Sequence, residues 1–370
     1  MKILLLSCST GEGHNHCAAA AREALEAGGH ETQFLDMLHM FGDPGPLSFD
    51  RILNRISTKT PELFGMMYHA GAMYSATGAT SPVYLANIRH ARQLGAFIDE
   101  NGFDAVLCSH LFPMETLTFL RRHEHLRVRS YGILSDYTCI PFLAETELDG
   151  YFLPHPDVKA ACAEAGMEAS RLIVTGMPVS ASFQVALSRA EARRKLGLPE
   201  DRRVYLIMTG GIGCGDAVSL CDAIRRVPDE RALLCVLPGR NEELRRTVEE
   251  RYDAQRVLAV PFTDHVAVYM RAADVLLSKA GGISSSEAAV LGVPLVHTMA
   301  IPGVETINAE FFAGHGMSLF ARNVDEAARF ADRLIFDGES AARMLAAQRR
   351  EMPGDGAERI AAYVGRQKLW

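Results

Sequence analysis

Long apolar runs are absent from this sequence. No stretch approaches the roughly 18–20 apolar residues that a membrane span requires, so any membrane contact is expected to be peripheral. The opening run, Met1-Lys-Ile-Leu-Leu-Leu, is too short for a signal peptide and leads straight into a glycine turn. It is expected as a first strand. Metal-type cysteine pairs are absent too. None of the 8 cysteines (Cys8, Cys17, Cys108, Cys139, Cys162, Cys214, Cys221 and Cys235) stands in a C-x-x-C spacing. That argues against a zinc ribbon or a thioredoxin-type pair. Most sit in apolar runs, where free cysteine packs as a small hydrophobe, as expected of a chain in a reducing cytoplasm. Positive charge is not in excess: Lys plus Arg is 38 against 45 Asp plus Glu, a net charge of −7. That balance disfavours general nucleic-acid binding, which rests on many phosphate-neutralising cations, and leaves room for a local basic patch. The glycine-rich turns lack both the P-loop lysine with its Ser/Thr and the G-x-G-x-x-G spacing. An ATPase and a dinucleotide oxidoreductase are both disfavoured by this.

What is present is a regular alternation. The chain has 370 residues, 48% of them hydrophobic and 22% charged, the balance of a folded protein with room for two domains. Short apolar runs at 2–7, 105–109, 129–134, 171–175, 204–208, 232–237, 256–260, 275–278 and 295–297 read as strands. Helix-length amphipathic stretches lie between them, as at 15–27, 86–101, 190–196 and 242–252. Several strands are continuously apolar, which predicts burial on both faces, and the βαβ rhythm predicts parallel sheets. The rhythm restarts near Val204. We therefore expect an α/β chain of two doubly wound, Rossmann-like domains at 1–180 and 181–345, with a cleft between them. A helical segment over 346–370, broken at Pro353-Gly-Asp-Gly, should follow. Residues 36–82 are expected as irregular helices and loops. In such sheets ligands bind beyond the carboxyl ends of the strands.

Five motifs lie at those ends. Ser9-Thr-Gly-Glu-Gly-His follows the first strand. Gly11 and Gly13 allow close approach of a ligand, and His14 at the helix start is either a base or a loop histidine. Ser135-Asp-Tyr-Thr-Cys-Ile-Pro offers Asp136 to orient a histidine, act as a base or cap a helix. Farther on, His155 lies between prolines and reads as a turn residue. Thr209-Gly-Gly-Ile-Gly-Cys-Gly exposes backbone amides, through Gly210, Gly211 and Gly213, that suit a phosphate. In Ser278-Lys-Ala-Gly-Gly-Ile-Ser-Ser-Ser-Glu, the glycines Gly281 and Gly282 precede Ser284, Ser285 and Ser286, which can cap a helix whose start favours an anion. Glu287, expected in the first turn, complements that helix or bonds a sugar's vicinal hydroxyls. In Ile301-Pro-Gly-Val-Glu-Thr-Ile-Asn, Glu305 and Asn308 are three apart and share a helix face. A basic and apolar cluster, Arg51, Arg55 and Lys59 followed by Phe64, Met66, Met67, Tyr68 and Met73, reads as core packing or as a membrane-surface segment.

Taken in order, these blocks resemble the diacylglycerol glycosyltransferases: plant monogalactosyldiacylglycerol synthases and bacterial processive diacylglycerol glucosyltransferases. Both are relatives of the peptidoglycan N-acetylglucosaminyl transferase. The match runs from residue 2 to about 316, and 135–141 and 279–289 are its most specific parts. It departs at Ala144, at Lys279-Ala, where relatives often have proline before the glycines, and loosely over 36–82. The resemblance implies a GT-B fold and an inverting transfer of glucose or galactose from a UDP-hexose to diacylglycerol. Neither a metal nor a resident cofactor is implied, and the chain contains no D-x-D motif. It places His14 as the general base, with Asp136 beside the acceptor. Gly13, Gly210, Gly211, Gly213, Phe262 (against the uracil), Gly281, Gly282, Ser284, Ser285, Ser286, Glu287 (on the ribose), Glu305 and Asn308 fall on the donor. It further implies a cytoplasmic protein held peripherally at the inner face of the cell membrane, with an anionic lipid surface as partner and no nucleic acid. Transfer to a polyprenyl-linked or soluble acceptor, and epimerisation of UDP-GlcNAc, share this architecture.

Overall fold

Two parallel six-stranded sheets organise the chain. The computed structural model describes residues 1–9, 12–40, 56, 60–211, 213, 216–226 and 229–366. By internal packing it divides into two units. Unit 1 comprises residues 1–181, 302–304 and 354–370, and unit 2 comprises 182–301 and 305–353.

The sheet of unit 1 contains β1 (Lys2–Ser7), β2 (Glu31–Asp36), β3 (Ala105–Cys108), β4 (Arg129–Ile133), β5 (Gly150–Leu153) and β6 (Leu172–Val174). Its order is β2-β1-β3-β4-β5-β6. Ile3, Leu4, Leu5 and Leu6 have no solvent exposure, which explains why β1 is apolar without alternation. The order reverses between β1 and β3, so the carboxyl ends of those two strands flank the switch point where doubly wound sheets bind ligands.

Unit 2 contains β7 (Arg203–Met208), β8 (Ala232–Leu237), β9 (Val257–Ala259), β10 (Val275–Lys279), β11 (Leu295–Met299) and β12 (Leu319–Phe320). Their order is β12-β11-β10-β7-β8-β9, the dinucleotide-fold arrangement, with its switch point between β7 and β10.

Each of the nine apolar runs forms a strand. The nine runs leave out β2, β5 and β12. β5 is buried but only four residues long and opens on glycine. The other two are edge strands: β2 is only partly buried and β12 has two residues, so neither has a continuous apolar signature. The expected helix over 86–101 is divided into Pro82–Asn87, a 3-10 turn Ile88–His90 and Ala91–Asn101. Within 36–82, Pro61–Ser75 is a regular 15-residue helix rather than irregular chain. The segment 346–370 is shared between Gly338–Glu351 in unit 2 and Gly356–Gly365 in unit 1, where the latter packs on the helix Glu12–Ala27. Thr10, Gly11, Arg51, Arg55, Lys59, Cys214 and Gly215 lie outside the described residues.

Candidate active site

In unit 1, three strand ends meet on one imidazole. His14 is in the first turn of the helix Glu12–Ala27, just after β1. Its Nδ1 lies 2.8 Å from the backbone carbonyl of Ser109, which follows β3. A carbonyl oxygen only accepts, so Nδ1 carries the proton and donates it. Nε2 is then the nitrogen with the lone pair. Ser135, beyond β4, places its Oγ 3.1 Å from the same Nδ1 and donates its own hydroxyl to Asp136 Oδ2 at 3.2 Å. No helix follows Asp136, so its capping role falls away and its place beside the His14–Ser135 pair remains. The strand ends are tied together beneath: Ser109 Oγ donates to Ser7 Oγ at 3.1 Å, Ser7 Oγ donates to Asn15 Oδ1 at 2.7 Å, and Ser9 Oγ donates to Asp36.

His110 meets His14 edge to face, with ring centroids 4.6 Å apart. It caps the helix Leu111–His123, its Nδ1 accepting from the Phe112 amide. Burial, and then the neighbouring His14, hold its pKa well below the usual imidazole range. A neutral neighbour lets His14 accept a proton without facing a second imidazolium. Tyr68, from the helix Pro61–Ser75, read in the sequence only as part of the basic and apolar cluster, is a further neighbour of this site. Burial, then the charges of Asp136 and Cys139, push its hydroxyl up to about 12. Gly13 is exposed, one residue before His14. His155 caps the helix Pro156–Glu164 by accepting from the Asp157 amide at 3.1 Å, the local role expected of it.

In unit 2 the glycine loop after β7 packs on the loop after β8. Gly210 and Gly213 have φ of 76° and 74°, left-handed values that favour glycine. The Arg240 amide donates to the Gly211 carbonyl at 3.0 Å, and Asn241 Nδ2 donates to the Gly213 carbonyl at 3.0 Å. A Cβ on Gly213 would overlap Asn241 and the Pro238 carbonyl. Close packing of two loops is thus one reason for these glycines, alongside any exposed amides. Gly213→Ala adds the left-handed penalty of about 1–2 kcal/mol to that overlap. It is expected to lower the unfolding midpoint of unit 2 by at least ~2–4 °C in calorimetry. An unchanged midpoint would contradict the packing described.

The second glycine pair starts a helix, Gly282–Leu291, with extended Gly281 as its N-cap and no side-chain cap. The serines therefore do not cap it. Ser284 and Ser286 return their hydroxyls to the carbonyls of Gly281 and Gly282. Ser285 Oγ lies 2.9 Å from Nε2 of buried His297, whose pKa burial lowers to about 3. Glu287 stands in the second turn rather than the first. It is buried, and burial alone pushes its carboxyl up to about 8.

Glu305 and Asn308 share a face of the helix Val304–Gly314, and both reach the end of β10. Asn308 Nδ2 donates to the Ala280 carbonyl at 3.2 Å, and Glu305 accepts from Lys279. Phe262 is exposed, with the Arg240 guanidinium 4.7 Å from its ring centroid. An exposed ring already stacked by a cation is a platform for a second planar group. Lys279 and Arg240 were missed by the sequence reading, since nothing in local spacing marks partners so far away along the chain. Among the described residues no helix is long and apolar enough to cross a membrane.

Residues 14–179 match the family Monogalactosyldiacylglycerol (MGDG) synthase. A processive diacylglycerol beta-glucosyltransferase from Bacillus mycoides (strain KBAB4) is 26% identical over 345 residues, spanning 91% of this chain and 86% of that protein. Among solved structures, MurG of Acinetobacter baumannii superposes with a TM-score of 0.64 at 14% identity over 99% of both chains. A UDP-GlcNAc 2-epimerase from Neisseria meningitidis, bound to UDP-GlcNAc, reaches 0.61 at 12% identity over 99% of this chain and 100% of the other. At such identities the solved structures speak for the fold alone. With the two parallel sheets, these likenesses bear out the resemblance read from the motifs: the chain has the GT-B fold and is similar to the diacylglycerol glycosyltransferases.

Proposed function

We propose that the protein is an inverting, metal-independent hexosyltransferase that moves glucose or galactose from a UDP-sugar to diacylglycerol at a membrane surface. The observation that carries this reading is the hydrogen bond from His14 Nδ1–H to the Ser109 carbonyl. It leaves Nε2 as a lone-pair base in the switch point of unit 1. That nitrogen takes the proton of the acceptor hydroxyl while the hydroxyl oxygen attacks the anomeric carbon, opposite the departing UDP. Unit 2 holds the donor. The amides at the Gly281–Gly282 helix start face the charge that grows on the leaving diphosphate, Glu287 takes the ribose, and Phe262 takes the uracil. A UDP-hexose whose sugar is α-linked is expected to yield a β-glycoside, read from the anomeric proton coupling of the product. EDTA should leave the rate unchanged. An α-glycoside, or activity lost to the chelator, would contradict this mechanism.

The lipid acceptor draws support from the helix Pro61–Ser75. Leu63, Met66, Met67, Ala70, Met73 and Tyr74 recur at helical spacing and are all exposed, Met66 at 70% and Met73 at 76%. The same helix carries Tyr68 beside Asp136. An exposed apolar stripe without lysine or arginine suits a leaflet interior. The preceding Arg51, Arg55 and Lys59 would add attraction to anionic headgroups. On this reading the protein is cytoplasmic and sits peripherally on the inner face of the cell membrane. Changing Met66 and Met73 together to Glu is expected to cut binding to vesicles of anionic lipid and diacylglycerol at least ~10-fold, since each buried Met is worth about 1.5 kcal/mol or more. The unfolding midpoint should not move. Full vesicle binding by the folded variant would place the lipid contact elsewhere.

A further inference from the structure

β10 is buried up to its last residue, Lys279, which is only partly so. Its register against β11 slips between Ser278 and Lys279, which re-aims the side chain at the strand end. Lys279 Nζ donates to Glu305 Oε1 at 2.5 Å, and Glu305 Oε2 accepts from the Ile301 amide at 3.1 Å. The lysine stem lies on the glycine loop: a Cβ on Gly210 would come within 2.6 Å of Lys279 Cε. The ion pair therefore spans the switch point of unit 2. It is only part-covered, with side-chain exposures of 27% for Lys279 and 11% for Glu305.

Resting on the UDP-sugar reading above, we infer that the Lys279–Glu305 pair holds the place of the donor and is exchanged for it. When the donor binds, the Lys279 ammonium turns from Glu305 to the diphosphate, and the freed Glu305 carboxylate accepts from hydroxyls of the hexose. The chemistry of each group supports the exchange. A lysine ammonium is a compact charge on a flexible stem with three donors, so it changes partner by rotation and keeps its proton. A bare carboxylate beside the glycine loop would repel a diphosphate, and pairing with Lys279 removes that repulsion in the empty site. As the sugar leaves, negative charge grows on the diphosphate, so the ammonium binds the transition state better than the ground state. One carboxylate and one ammonium thus couple recognition of the sugar to recognition of the diphosphate. Lys279 then serves as a leaving-group contact, and Glu305 as both its holder and a sugar contact.

The test is the binding of two probes, UDP and uridine, measured by calorimetry on wild type, Glu305→Gln, Lys279→Met and the double variant. Uridine has no phosphate and should bind all four proteins alike. Glu305→Gln removes the rival anion and is expected to bind UDP about 10-fold tighter, while losing turnover with the UDP-hexose. Lys279→Met should bind UDP at least ~10-fold more weakly, the scale of one charge-assisted hydrogen bond. The double variant should recover part of that loss, since the unpaired carboxylate is gone. A pair that only braces the fold has the opposite signature: both single variants lose UDP affinity together. Wild type that binds UDP, with Glu305→Gln binding it no tighter, overturns the exchange alone. If Glu305→Gln does not fold, a double variant no better than Lys279→Met overturns it equally. Wild type that binds neither UDP nor uridine overturns the donor reading, and the exchange with it.

Discussion

His14→Ala is expected to lower turnover by about 10²–10⁴-fold, the usual range for a lost general base, and to leave UDP affinity unchanged. The asymmetry follows from where the residue stands. His14 is in unit 1, bonded through Nδ1 to Ser109 and near Ser135 Oγ, whereas the groups assigned to the nucleotide are in unit 2. Removing the imbalance between the two nitrogens should also matter. His14→Gln retains a polar side chain but no base, and should be as inactive as the alanine variant. Ser135→Ala and Asp136→Asn should cost less, because the Ser109 carbonyl still fixes the tautomer. Steady-state kinetics with both substrates varied, together with UDP calorimetry, checks this. A His14→Ala enzyme with normal turnover would move the base elsewhere, with Asp136 the next residue to test.

Glu287→Gln is expected to lower nucleoside affinity by about 10- to 100-fold, the worth of hydrogen bonds to a charged group, and to abolish its pH dependence. In the empty protein the carboxyl, raised to about 8 by burial, is mostly protonated at neutral pH. Ribose hydroxyls donate to a carboxylate, so binding releases a proton. Uridine affinity should rise about tenfold per pH unit between 6 and 8 and flatten above 8. Uridine is the better probe here because it has no phosphate that titrates in this range. The stability effect runs the other way. The folded-state pKa is raised from 4.5 to about 8, so the folded state binds the extra proton. Stability contributed by Glu287 is therefore complete below 4.5 and is lost as pH rises toward 8. Glu287→Gln should not show that loss. A variant that gains stability near pH 8 and loses nucleoside affinity marks a residue kept for binding. Flat uridine affinity across pH 6–8 in the wild type would contradict the assignment.

How much of this was legible in the sequence depends on distance along the chain. Most buried strands of both sheets were, because a strand covered on both faces tends to be apolar throughout, as in β1. Buried β5 escaped because it is only four residues long, and edge strands β2 and β12 because they are partly exposed or too short. His14 and Asp136 were visible as polar residues directly after apolar strands. The Ser109 carbonyl that decides which His14 nitrogen is basic was not, since a backbone oxygen has no residue type. The three serines looked like a helix cap, but Gly281 adopts the extended cap conformation itself, with φ −71° and ψ 134°. The serines therefore stand inside the helix, as its third to fifth residues, rather than at its cap. Lys279 escaped because its partner Glu305 is 26 residues away and the register slip that aims it leaves no mark on local periodicity. The helix Pro61–Ser75 escaped because its apolar residues face outward, which inverts the pattern that normally identifies a packed helix.

The most direct test of the proposed activity is transfer from labelled UDP-glucose and UDP-galactose, side by side, to diacylglycerol in mixed micelles containing anionic lipid. The expected result is a labelled neutral glycolipid formed from one of the two donors, lost with His14→Ala. Tight UDP binding with no lipid product from either donor would contradict the acceptor. It would turn the search to soluble acceptors, polyprenyl-linked acceptors and epimerisation.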